Sequence, residues 1–380
     1  MTNGPLILEA PLAPKQTRLE ELWRLFKQNR LAIIGLFIFV LFFITAILGA
    51  VLTSGRDPLF DPALIRLQEK LLPPLSRPHV DALPPQEVPT FGRYLFGTDD
   101  LGRDVFSRML QGAWVSLTVG FVAVGISVMV GIFMGGIAGY FGEHHLRWNH
   151  ILGVTLLLAA TVMGAMGNVW TSLGLLMAGG LCLSLFRLVK PYRKLRFTTA
   201  WLFKNAVSVD TLIMRMVDIM LCFPSFFLIL TVVALLPASM YNIMIVIGLT
   251  SWMGTTRFVR AEFLSLREQD FVTAARALGI GNFRIIFRHM MPNAIAPVLV
   301  SSTIGIATAI LTEAGLSFLG FGVPPPHATW GNILSGGKGF IFDAPWLTFI
   351  PGIAILIVVL CFNLFGEGLR DAMNPKLRER

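Results

Sequence analysis

The sequence FVTAARALGIGNFRIIFRHMMP, residues 271–292, is a polar, arginine-rich segment between long apolar runs. Four of its residues recur at i, i+3, i+4 and i+7, namely Phe271, Ala274, Ala275 and Leu278. This spacing predicts one face of a helix, and the small side chains allow another protein's surface to approach its backbone closely. Gly279 is the expected end of that helix, because glycine adopts the left-handed conformation that closes one. A second helix is expected to begin near Asn282 and to end before Pro292.

The composition places most of the chain in lipid. Hydrophobic residues make up 54% of it, charged residues 14%, and the mean hydropathy is +0.70. Soluble domains carry about 25% charged residues. The formal net charge of +9 is better explained by basic residues at the cytoplasmic ends of membrane helices than by binding to nucleic acid.

Apolar runs predict eight membrane spans, since about 20 apolar residues cross a bilayer. The candidate spans are residues 31–52, 115–138, 151–166, 173–189, 212–236, 241–253, 294–311 and 347–365. With eight spans, the N-terminal arm, residues 190–210, residues 257–288 and the C-terminal tail lie on one side and are basic, whereas the opposite segments are nearly balanced or uncharged. Because basic loops stay inside, both termini and residues 257–288 are predicted to be cytoplasmic.

The opening segment resembles the coupling loop of ABC-importer permeases. That pattern is Glu-Ala-Ala, three residues, Gly, nine residues, Ile, any residue, Leu-Pro. The matching positions are Ala274, Ala275, Gly279 and Pro292. Thr273, His289 and Met291 depart from it, and Thr273 removes only contacts that the family's glutamate would make.

Other segments resemble the shorter "C" subunit of dipeptide, oligopeptide and nickel importers. They are LFGTDDLGRDVFSRMLQGAWVSL (95–117), LSFLGFGVPPPHATWGNIL (316–334) and PWLTFIPGIAILIVVLCFNLFGEGLRDAMNPKLR (345–378). In that group a helix beginning DTLIMRMVDI follows AGYFG almost at once, but here residues 143–210 intervene. The insertion carries two predicted spans, so it preserves the orientation of everything after it.

The resemblance implies an all-α polytopic membrane protein with the type I ABC importer permease fold, six core transmembrane helices and a two-helix insertion. Its expected parts are a cytoplasmic arm (1–30), a first span (31–52), an extracytoplasmic loop with an interfacial helix (53–114), the permease domain (115–366) and a cytoplasmic tail (367–380). Within the permease domain, 143–210 is the insertion and 257–293 the cytoplasmic coupling loop. The implied location is the bacterial plasma (inner) membrane.

The resemblance also implies the partners and the chemistry. A second, different permease, two cytosolic ATPases and an extracytoplasmic solute-binding protein are expected, with peptides or related solutes such as nickel chelates as cargo. The sequence contains no GxxxxGK[ST] phosphate loop. We therefore expect a non-catalytic subunit that binds no cofactor or metal, with ATP and Mg²⁺ held by the partner ATPases.

Nine residues are predicted to couple the chain to the ATPases: Phe271, Thr273, Ala274, Ala275, Arg276, Leu278, Gly279, Arg284 and Pro292. Asp218, Pro224 and Glu313 are candidates for a gate or pathway, because charges inside the membrane are functional candidates. Asp218 fits either an interhelical bond or a gate, and Pro224 is expected to kink its helix. Glu313 fits a pore lining or a hydrogen bond near a helix end equally well.

Two other classes of protein remain open. A secondary transporter driven by an ion gradient would use Asp218 and Glu313 as carriers, but it would leave the cytoplasmic loop without a purpose. A membrane enzyme would need catalytic groups clustered at one depth. The acidic group at Asp99, Asp100 and Asp104 is best explained by helix capping, with Thr98 or Asp99 as the cap, rather than by catalysis or metal binding.

Overall fold

The structure is a computed structural model of the full chain. It describes residues 18–373 except 56–57, 80–82, 85–86, 143, 148–154, 158, 162, 164–170, 172 and 181–204. The chain forms two compact units. One comprises the residues up to Ile126, Leu228–Leu249 and those from Ile295 onward, and the other comprises Ser127–Phe227 and Thr250–Ala294.

The described secondary structure is almost entirely helical, as predicted. The helices are α1 (Arg18–Gln28), α2 (Arg30–Leu52), α3 (Val105–Tyr140), α4 (Val209–Leu221), α5 (Ser225–Leu235), α6 (Met240–Leu249), α7 (Trp252–Arg267), α8 (Asp270–Ala277), α9 (Asn282–Arg284), α10 (Met291–Phe318), α11 (Trp330–Gly337) and α12 (Trp346–Met373). A π-helical turn, Ile285–Met290, joins α9 to α10 without a break, and short 3₁₀ turns lie at Leu67–Glu69 and Lys338–Phe340.

Within the described ranges, four helices are long and apolar enough to cross a membrane: Arg30–Leu52, Val105–Tyr140, Pro297–Phe318 and Trp346–Met373. The pair α4 and α5 is a fifth if it counts as one span. The predicted span 241–253 is divided between α6 and α7. The count of eight therefore stays a prediction.

A short antiparallel ribbon is the exception to the helical architecture of the described chain. β1 (His145–Arg147) pairs with β2 (Asn205–Ser208), with His145 opposite Ser208. The two ends of the predicted insertion therefore meet. Most of the insertion's two spans, 151–166 and 173–189, lies outside the described residues, and the described parts at 155–157, 159–161 and 173–180 are helical.

The predicted cap near the start of α3 is wrong in position. Helix α3 begins at Val105, and the carboxylate of Asp104 accepts hydrogen bonds from the backbone amides of Phe106 and Ser107 at 3.2 and 3.1 Å. Asp99 instead accepts from the amides of Leu101 and Arg103, which shapes the turn before the helix. The segment expected to be an interfacial helix thus joins a 36-residue helix that includes the predicted span.

In the second unit, glycines bring α3 and α7 together. A Cβ on Gly135 would lie 2.6 Å from the carbonyl oxygen of Thr256, so only glycine permits this approach. Trp252 and Met253 at the start of α7 form a buried cluster with Val217 of α4. These contacts fix α7, which leads directly into the segment from Asp270 to Met290.

Candidate functional site

Helix α8 ends as the sequence predicts, at Gly279. Its φ is +70°, and the amide of Gly279 donates to the carbonyl of Arg276 at 2.9 Å while that of Ile280 donates to Ala275 at 3.1 Å. These two bonds form a Schellman motif, which satisfies the last carbonyls of the helix. No atom lies within 4 Å of a Cβ built on Gly279. Backbone conformation, rather than space, requires glycine here.

The face predicted for α8 is only partly exposed. Phe271 and Leu278 are 40% and 80% exposed, and Ala274 is exposed with them. Ala275 is only 5% exposed and lies with Val272 on the side that packs against the protein's own interior. The assignment of Ala275 to the outward face is therefore wrong, because its small side chain serves packing within the unit. Thr273 is exposed, and its hydroxyl donates to the carbonyl of Asp270 at 2.9 Å.

The second helical run does not end before Pro292. It continues from α9 through the π-helical turn into α10, with Pro292 in the first turn of α10. Proline has no amide hydrogen and clashes with the carbonyl four residues earlier. Here the amide of Met291 donates to Ile286, five residues back. A π-helical turn of this kind accommodates the proline without breaking the helix.

Two further exposed phenylalanines, Phe283 and Phe287, lie in the same segment but were not among the predicted site residues. Phe283 and Phe287 are 75% and 47% exposed, and their ring centroids lie 4.5 Å apart. Their spacing of four residues within an arginine-rich segment indicates that they share one helix face, and this pattern is visible in the sequence. Arg284, next to Phe283, is also exposed.

Tyr140, at the end of α3, ties the two short helices together. Its hydroxyl donates to Oδ1 of Asn282 at 2.8 Å, and the guanidinium carbon of Arg276 lies 5.2 Å from the ring centroid. Tyr140 itself is only 6% exposed. One side chain thus contacts both helices that flank the Gly279 turn and connects them to α3.

Two carboxylate–guanidinium pairs join α4 to α7. Arg257 donates to Asp218 at 2.6 Å, and Arg260 donates through two nitrogens to Asp210, with Nη2 to Oδ2 at 2.6 Å. The carboxylate of Asp210 accepts these hydrogen bonds and thereby raises the pKa of the Arg260 guanidinium. Asp218 also lies 3.9 Å from Arg215, three residues earlier on α4, where side chains at this spacing can meet. The structure therefore gives Asp218 an interhelical bond.

The other two gate candidates have different settings. Pro224 lies in the break between α4 and α5, which are bent by 80° there, so the predicted kink is present. Glu313 belongs to the other unit, where it is 0% exposed and its Oε1 accepts from the hydroxyl of Ser317 at 2.6 Å. Its burial favours a structural hydrogen bond near the end of α10 over a pore lining.

Among the described residues, no three histidine, cysteine, aspartate or glutamate side chains are grouped so as to hold a metal ion. The region from Asp270 to Met290 is instead an exposed, partly apolar and basic surface carried by short helices. Such a surface can bind another protein.

Comparison with known proteins assigns the family. Residues 197–379 match the model of binding-protein-dependent transport system inner membrane components, and residues 17–74 match the N-terminal transmembrane domain of oligopeptide transport permease C. A dipeptide transport system permease, DppC, of Alkalihalophilus pseudofirmus is 36% identical over 94% of this chain and 90% of its own. The chain belongs to the DppC/OppC family of peptide transport permeases.

Further members of the family are similar over nearly the whole chain. DppC of Haemophilus influenzae is 34% identical over 100% of both chains. The oligopeptide transport system permease OppC of Bacillus subtilis is 30% identical over 93% of this chain and 88% of its own. A chain from the inward-facing MetNI methionine ABC transporter aligns over 71% of this chain and 98% of its own, with 14% identity and a TM-score of 0.41.

Proposed function

We propose that this DppC/OppC family member is a transmembrane permease subunit of an ATP-driven importer for di- or oligopeptides or a related small solute such as a nickel chelate. It would form half of the translocation pathway together with a second, different permease. Two cytosolic ATPases would dock on residues 271–292, and an extracytoplasmic solute-binding protein would deliver the cargo. The relatives' names support peptides as the cargo class.

The observation that carries the proposal is the anchored pair of short helices at the Gly279 turn. Their exposed side chains offer a docking surface, while Tyr140 and the buried Val272 and Ala275 hold them to the rest of their unit. A partner that displaces this surface therefore also displaces α3 and α7. Alternating access requires such a mechanical connection between the ATPase docking surface and the membrane helices.

The mechanism follows from differential binding. ATP binding would close the ATPase dimer and displace the docked helices, and this would turn the pathway outward; hydrolysis would reset it. Coupling needs only that the two states differ in contact energy at the docked surface. The chain would take no catalytic part and bind no cofactor, since ATP and Mg²⁺ would belong to the ATPases.

The proposal places the chain in the bacterial inner membrane with both termini in the cytoplasm. Its basic arm, the coupling segment and the tail would then lie on one side, and their excess of basic residues supports this orientation. An ion-gradient transporter is not supported, because the chain matches the family model of binding-protein-dependent transport systems and resembles peptide transport permeases over nearly its whole length.

Affinity purification under gentle solubilisation tests this proposal. We expect the chain tagged at native expression to bring down ATPases and a second permease, and we expect Gly279→Glu to lose the ATPases. A chain that purifies alone and still transports solute in proteoliposomes without ATP would overturn the proposal. Gly92→Glu is the matched control, because Gly92 also has a positive φ, +63°, and no atom within 4 Å of a Cβ built on it.

A further inference from the structure

Helix α1 carries an open apolar groove with a cation at one edge. We propose that this groove binds one phospholipid, with an acyl chain between α1, α2 and α12 and the phosphate near Lys27. The cavity volume is about 540 Å³, which is within the range of about 300–1,000 Å³ typical of small-molecule sites. Its lining is Glu20, Leu22, Trp23, Phe26, Leu36, Phe365, Leu369 and Ala372.

The floor of the groove is a fixed structure. Phe26, Ala32 and Ala372 are buried at 5%, 1% and 2% exposure and form one core cluster. At the junction of α1 and α2, the side chain of Asn29 accepts from the amides of Leu31 and Ala32. The groove is therefore held open by packed helices rather than by a mobile arm.

The groove has the two-part chemistry of a phospholipid. Trp23 is 48% exposed and stacks on Phe26 with ring centroids 6.0 Å apart, and the ammonium of Lys27 lies 5.0 Å from the Trp23 ring. A tryptophan next to a lysine is typical of the membrane–water interface. There the indole ring packs against acyl chains while the ammonium group binds a headgroup phosphate. Glu20, the one acid in the lining, has an interaction of its own within the chain.

The surface next to the groove favours lipid over a protein partner. The apolar part of α2 is only 22% buried, and Ile33 and Val40, which share the helix face of the groove residue Leu36, are 40% and 47% exposed. Such a span meets acyl chains along its length, so the groove is continuous with a lipid-facing surface. A second permease seated in the groove is the alternative that the test must separate.

The inference does not depend on the proposed cargo or on ATP coupling. It is tested on the intact membrane complex by native mass spectrometry, which counts phospholipids retained per chain as dioleoylphosphatidylglycerol is titrated. We expect the wild-type chain to retain one lipid. Leu369→Trp, whose larger side chain fills the groove, should retain none, and Lys27→Gln should bind the lipid with an apparent affinity about fivefold weaker. Arg215→Gln removes another exposed cation, from α4, and should leave retention unchanged.

A second measurement keeps the inference open to refutation if Leu369→Trp fails to assemble. The fluorescence of Trp23 is the difference between the wild type and Trp23→Phe. Phosphatidylglycerol with brominated acyl chains should quench this fluorescence, and the quenching should saturate at one lipid per chain. Quenching that rises in proportion to lipid without saturating would mean ordinary annular contact and would overturn the proposal. Absence of quenching would mean that protein covers the groove, which would overturn it equally.

Discussion

Tyr140→Phe tests whether α3 anchors the coupling helices. The substitution removes the hydroxyl that donates to Asn282 at 2.8 Å and keeps the ring beneath Arg276. A hydrogen bond of this kind contributes about 0.5–1.5 kcal/mol net, and Asn282 is exposed enough for water to replace the lost donor. We therefore expect a loss of about 1 kcal/mol, or about fivefold in the equilibrium between anchored and released helices.

Tyr140→Leu should act more strongly, because it also removes the ring. The contact with the exposed Arg276 contributes about 0.5–1 kcal/mol, so the combined loss is about 2 kcal/mol, or about thirtyfold. Amide hydrogen exchange measures this directly, since protection of the α8 and α9 amides reports the free energy of local opening. Exchange there should accelerate about fivefold in Tyr140→Phe and about thirtyfold in Tyr140→Leu.

The functional consequence is a lower number of solute molecules transported per ATP hydrolysed in the reconstituted importer. Tyr241→Phe is the matched control, because Tyr241 is 70% exposed in α6. If Tyr140→Phe exchanged and transported like Tyr241→Phe, the anchoring role of Tyr140 would be refuted. If exchange accelerated and transport per ATP did not fall, the helices would be anchored but would not act as a lever.

Three further results are expected. Gly279→Val should destabilise the turn by about 1–2 kcal/mol, because a β-branched residue resists a φ of +70°. Gly279→Asn should destabilise it clearly less, because asparagine tolerates the left-handed conformation. Thermal unfolding of the purified complex should therefore show a larger loss of stability for Gly279→Val than for Gly279→Asn. A double-mutant cycle of Asp210→Asn and Arg260→Gln should give a coupling energy of about 1 kcal/mol. The pair is bidentate and only partly exposed, with Asp210 at 22% and Arg260 at 30%. A coupling energy near zero would mean that the pair does not join α4 to α7. Burial raises the pKa of Tyr94 from 10.0 to about 12. The unfolded chain therefore loses the Tyr94 proton at a lower pH than the folded chain, so the free energy of unfolding should fall as pH rises from about 10 towards 12. Tyr94→Phe should abolish this part of the fall. Thermal unfolding measures the stability, and tyrosinate absorbance follows the ionisation.

The parts of the site predicted correctly from the sequence have local causes. Gly279 ends α8 because a left-handed residue is needed where the helix stops, and this requirement is visible within a few residues. The kink at Pro224 follows in the same way from the missing amide and the fixed φ of proline. The helical character and the family follow from apolar run lengths and motif order.

The failures concern contacts between distant segments and choices among helix faces. Ala275 has the periodicity of the outward face, but tertiary packing buries it. Pro292 looks like a helix end, yet a π-helical turn carries the helix through it. The bond from Tyr140 to Asn282 joins residues 142 positions apart, so no local pattern announces it.

Site-specific photo-crosslinking from Leu278 tests the central claim most directly. Leu278 is 80% exposed at the end of α8, beside the Gly279 turn. A photoreactive amino acid there should crosslink to a cytosolic ATPase in the membrane, whereas the same probe at the exposed Tyr241 of α6 should not. If the Leu278 probe captured no ATPase while the assembled importer still hydrolysed ATP and transported solute, residues 271–292 would not be the docking surface.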